Sequence, residues 1–141
     1  MIRLFVLLVM SFSVHAAEIP DLNGMWVGFF GYGSEGANIV ECSMVVEQSG
    51  TNIEGRMLEK QTFGSEPSIG LSANLSGTAN GDLVSVTKTY DGSGGQTHSV
   101  NYVFTLDEEG EILHGIWSLN GMSGRVVFRR VTPQIFSEIL N

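Results

Sequence analysis

Cysteine is almost missing: Cys42 stands alone among 141 residues. That excludes an internal disulfide, and with it a scaffold stapled by sulfur bridges. Basic side chains are few, seven against fifteen acidic ones. A net charge of −8 makes the chain a poor partner for nucleic acid or an anionic membrane surface. Proline is scarce too, at three residues. No apolar run approaches the roughly 20 residues that a membrane-crossing helix needs, so membrane insertion is not expected.

The longest apolar run lies at the start and reads as a targeting segment. Arg3 precedes the unbroken stretch Leu4–Met10, and Val14-His15-Ala16-Ala17 closes it with small residues. A basic start, a short apolar core and a small-residue exit describe a cleavable secretory signal over 1–17. Cleavage after Ala16 and after Ala17 fit equally well. Residues 18–141 then form one domain, long enough to bury a core without staples. Losing Arg3 takes its charge to −9. Export without disulfides points to a periplasmic or secreted protein. Cys42 alternates with apolar residues in Val40-Glu41-Cys42-Ser43-Met44, as a buried, inert thiol would.

Glycine, in contrast, is abundant, and it punctuates. A large apolar residue, any residue, then Gly recurs as Leu22-Asn23-Gly24, Ile53-Glu54-Gly55, Leu75-Ser76-Gly77 and Leu113-His114-Gly115. Turn signals fall at Ser49-Gly50-Thr51-Asn52, Ala79-Asn80-Gly81-Asp82, Asp107–Gly110 and Asn120-Gly121. Between them lie runs rich in Val, Ile, Phe, Thr and Tyr. The spacing predicts eight strands, over about 24–32, 39–48, 52–60, 69–77, 82–90, 98–106, 111–118 and 124–131.

Period-two alternation assigns their faces. Val40, Cys42, Met44 and Val46 share one face of the second strand. Ile69, Leu71, Ala73 and Leu75 share one in the fourth, and Val100, Tyr102, Phe104 and Leu106 in the sixth. One buried and one wet face is the antiparallel pattern. Short connections make sequential strands neighbours, so the expected fold is all-β: an eight-stranded antiparallel up-and-down barrel. The Gly/Ser-rich stretches 33–38 and 91–97 should be mobile loops. After Thr132-Pro133, Ile135, Phe136, Ile139 and Leu140 recur at helical spacing, predicting a short C-terminal helix against the barrel.

Chemistry-bearing patterns are lacking. His98 and His114 fall in adjacent predicted strands, but no third ligand is spaced to make a metal site. Asp91-Gly92-Ser93-Gly94-Gly95 fails as a calcium loop, with Tyr102 where the bidentate Glu belongs, and as a phosphate loop, with no following Lys. No nucleophile-elbow pattern is present. The reading is therefore non-enzymatic, with no catalytic residue, no metal and no cofactor.

What is present is an aromatic set. Trp26 and Phe30 share a parity in strand one, Tyr102 and Phe104 in strand six, and Trp117 lies in strand seven. With Met57 they are the candidate ligand-binding residues, an apolar lining with a few polar handles.

Leu22-x-Gly24-x-Trp26, the turn at Gln48-Ser49-Gly50 and Ile53-x-Gly55-x-Met57 together resemble the opening of avidin-type and lipocalin-type (calycin-like) barrels. That resemblance implies a tryptophan closing one barrel end beneath a late arginine, here Trp26 with Arg129 or Arg130. The Thr-Asp-Tyr motif of lipocalin-like chains is absent, and of the later avidin-type tryptophans only Trp117 has a counterpart, so biotin binding is not implied. Two functions stay open: a module holding a small apolar or amphipathic ligand in the barrel interior, or an acidic interaction protein, such as an inhibitor of a cationic enzyme, with a basic protein partner.

Overall fold

A computed structural model describes residues 18–32 and 38–132. Its eight strands are β1 (Gly24–Gly31), β2 (Ile39–Ser49), β3 (Asn52–Glu59), β4 (Leu71–Asn80), β5 (Leu83–Tyr90), β6 (Ser99–Leu106), β7 (Ile112–Leu119) and β8 (Met122–Arg130). Each pairs antiparallel with the next, and β8 pairs back onto β1 through Trp26↔Arg130 and Phe29↔Val127. The sheet is thus a closed up-and-down barrel, with no free edge. Helix among the described residues amounts to one 3₁₀ turn, Ser93–Gly95. The expected signal segment and C-terminal helix lie outside the described residues.

Closure follows from alternation and glycine. Inward positions form one core, including Leu71, Ala73 and Leu75 of β4 and Val100, Tyr102 and Phe104 of β6. Gly77 and Gly115 share the inward parity of their apolar partners Leu75 and Leu113. A Cβ on Gly115 would stand 2.5 Å from the Phe104 ring, and one on Gly77 would collide with the Ser85 carbonyl. At Gly55, Gly77 and Gly115 the apolar-x-Gly pattern therefore pairs a core side chain with a place where the neighbouring strand presses in, whereas Gly24 has open space beside it. At the β7–β8 turn, Asn120 (φ 47°) and Gly121 (φ 81°) both take positive φ, the geometry whose twist matches the strands.

Two expectations are corrected. Strand β4 starts at Leu71, and Ile69 is fully exposed rather than inward-facing. Stretch 91–97 is tied to the wall: Asp91 accepts from Ser72 Oγ at 2.5 Å and from Arg56 at 2.8 Å, and Ser93 Oγ accepts from the Ser72 amide at 2.7 Å. Three apolar side chains, Met25, Val27 and Phe29, stand about half exposed along the outer face of β1.

The ends differ in their connections. Tight turns β2–β3 and β4–β5 and the acidic β6–β7 turn lie at one end, where the segment 18–23 also enters. The longer loops β1–β2, β3–β4 and β5–β6 gather at the other, the mouth.

Candidate functional site

The end opposite the mouth is plugged. Leu22, preceding β1, is 1 % exposed and packs with Trp26, whose indole Nε1 donates to the Leu22 carbonyl at 3.0 Å. The Arg130 guanidinium lies 4.3 Å from the centre of the Trp26 ring and donates to the backbone carbonyls of Gly110, Asn23 and Asp21. Cation–π stacking and three charge-assisted bonds hold it there. Of the two candidate arginines, then, Arg130 covers the tryptophan. Arg129 is exposed, because its parity turns it outward at the register Val27↔Arg129.

Above the plug the interior is filled. Trp26, Phe30, Met57, Tyr102, Phe104 and Trp117 all point inward and all are nearly inaccessible. Tyr102 stacks on Phe104 with ring centres 5.6 Å apart. Phe104 packs edge-on to Phe128, and Trp117 reaches the upper rim, where its Nε1 donates to the Gly31 carbonyl at 2.9 Å. Phe30 and Tyr102 surround something that sequence reasoning missed.

That feature is a buried ionic cluster. Lys88 on β5 and Glu59 at the end of β3 each have side chains 1 % exposed and pair at 2.8 Å. The Tyr90 hydroxyl accepts from Lys88 Nζ at 2.8 Å and donates to the second Glu59 oxygen, closing a three-membered network. The ammonium also sits 4.4 Å from the Tyr90 ring centre, 5.3 Å from Phe30 and 5.4 Å from Tyr102. Burial lowers the Lys88 pKa, and the Glu59 carboxylate opposes that fall. Burial first, then Glu59, raises the Tyr90 and Tyr102 phenols, so both remain protonated. The same two causes push the Cys42 thiol up to about 12, which leaves it a poor nucleophile. No buried side-chain polar atom among the described residues lacks a partner.

The signal for this cluster was parity. Lys88 continues the inward register Val84, Val86, Lys88, Tyr90, and Glu59 continues Ile53, Gly55, Met57, Glu59. Charged residues are almost never fully buried unless paired. Neither residue reveals alone that its partner waits two strands away, on the far side of β4.

Over the cluster opens the mouth, a concavity of about 660 Å³. Its walls are Tyr32 from the end of β1, Phe63 from the β3–β4 loop and His98 ahead of β6, with Leu119 and Met122 at the β7–β8 turn. Tyr32 packs edge-on to Trp117, ring centres 5.5 Å apart; Phe63 and His98 lie 5.8 and 4.7 Å from Tyr90. Asn38, Thr62 and Gln96 add amide and hydroxyl groups at the rim. Among the described lining residues no carboxylate, ammonium or guanidinium occurs. His114, by contrast, is exposed on the outer wall opposite Thr105 and Val127, so the two histidines do not meet. Among the described residues no group of three or more His, Cys, Asp or Glu side chains converges as metal ligands would.

No protein-family model and no curated protein matches the chain. Its class is therefore set by architecture: a small, closed, eight-stranded antiparallel barrel, plugged at one end and, among the described residues, concave at the other.

Proposed function

We propose that this protein is an exported, calycin-like binding barrel, non-enzymatic, that holds a small apolar or amphipathic molecule at its mouth. The observation that carries this reading is a concavity whose described lining is aromatic and uncharged, above an interior of buried side chains. Its size falls within the roughly 300–1,000 Å³ of ligand pockets, and its few polar groups stand at the rim, as orienting groups do. The interior aromatics then act as the rigid floor of the site rather than as its lining.

Native mass spectrometry of the protein purified from its own host is the test. The expected result is a chain lacking 1–17, or 1–16, that carries a small molecule, with the adduct absent from a Tyr32→Ala/Phe63→Ala variant prepared alike. A bare chain that also shows no tryptophan fluorescence response across a broad panel of apolar compounds sinks the reading. A second reading has its own observation: Asp21, Asp82, Asp107, Glu108, Glu109 and Glu111 crowd the plugged end. A cationic protein is the partner that such a surface favours, and a co-purifying basic protein released by salt would support it.

A further inference from the structure

We propose that the mouth selects an uncharged, flat aromatic ligand and rejects charged molecules of the same shape; this rests on reading the mouth as the ligand site. Shape comes from the walls. Tyr32 is backed by Trp117, and Phe63 and His98 by Tyr90, at ring separations of 5.5, 5.8 and 4.7 Å. These rings are braced from below and half-buried, so they offer fixed faces and edges to the cavity. A flat ring between them gains offset and edge contacts that an aliphatic chain does not.

Charge selection comes from what lies beneath. The buried ionic groups beneath the mouth, Glu59 and Lys88, satisfy each other at 2.8 Å. Whichever of the two holds the proton, the pair has no net charge. The Tyr90 hydroxyl is already committed to both. No buried side-chain polar atom among the described residues waits for a partner. A ligand's carboxylate or ammonium would leave water and meet no counter-charge among the described lining residues, and an unpaired charge is the costliest group to desolvate. An anion is opposed further by the overall charge of −8. Asn38, Thr62 and Gln96 are neutral donors and acceptors, suited to a hydroxyl, carbonyl or amide on the ring.

Three probes with one ring system separate the outcomes: 2-naphthol, 2-naphthoate and 2-(aminomethyl)naphthalene, the first uncharged at neutral pH. Titration of the exported chain by calorimetry, with NMR shifts mapped in parallel, should show naphthol binding at least ten-fold tighter than either ion. The shifts should centre on Tyr32, Phe63 and His98. Gln96→Glu should then gain several-fold for the ammonium probe and lose naphthol affinity. Equal or tighter binding of an ionic probe at the mouth overturns the charge selection while leaving the mouth as the site. If none of the three shifts mouth resonances at millimolar concentration, the mouth reading fails with it.

Discussion

The two ends of this barrel each carry one tryptophan, and each indole nitrogen donates to a backbone carbonyl, yet the ends are built to opposite purposes. At the plugged end, Trp26 is inaccessible and covered by Arg130, and carboxylates gather on the surface beside that arginine. At the mouth, Trp117 braces Tyr32 under a concavity whose described lining bears no formal charge. One indole is held by a cation, the other supports a surface. The contrast teaches that a tryptophan's hydrogen bond says little of its role; what covers its ring decides.

The largest way to break the contrast is to disturb the floor beneath the mouth. Lys88→Met should cost about 3–5 kcal/mol in urea unfolding, because it strands a buried carboxylate and a phenol. Replacing both partners, Glu59→Leu with Lys88→Met, should recover most of that and end within about 2 kcal/mol of the wild-type protein, since paired apolar groups avoid desolvation. A double variant no more stable than the single one would show that the pair is not an energetic unit.

Next in size, Trp26→Phe and Trp117→Phe should each lose about 1–3 kcal/mol through one hydrogen bond and the lost ring area. Only the second should weaken naphthol binding, several-fold, as Tyr32 loses its support. Matching affinities in the two variants would erase the functional difference between the ends.

The smallest effect belongs to the rim. Asp91, held by Ser72 first and then by the Ser93 amide, has its pKa lowered from 3.8 to about 2. A depressed carboxylate stabilises above its unfolded pKa and ceases to do so as pH falls through the folded one. The urea midpoint should therefore drop between about pH 4 and pH 2, and Asp91→Asn should flatten that acid limb. An unchanged slope in the variant would detach Asp91 from rim stability.

Much of the architecture was legible because it is local. Period-two alternation and glycine turns located each strand to within two residues at nearly every end, and the parity of Trp26, Tyr102 and Phe104 placed them inside. Ile69 misled because its alternation with Leu71 continues past the true strand start. The loop after β5 looked loose by composition, yet Asp91, Ser72 and Arg56 come from three different parts of the chain to fasten it. The candidate site was less legible for the same reason. Its ionic floor joins Glu59 to Lys88, 29 residues apart in sequence, and its walls join Tyr32, which continues the parity of Trp26 and Phe30, to Phe63, Gln96 and His98 from connections that carry no such pattern. Sequence periodicity reports which face a residue takes, never which residue it meets across the barrel.

The pairing of β8 with β1 has a consequence for how the chain must be made. Val131 donates to the carbonyl of Met25, so the final rungs of the ladder exist only once nearly the whole described chain is available. Until then β1 presents an open edge beside Met25, Val27 and Phe29, the kind of surface that recruits other strands. Chains cut short before β8 should therefore associate through that edge rather than form smaller barrels, which makes the nine-residue strand β8 the cover of β1.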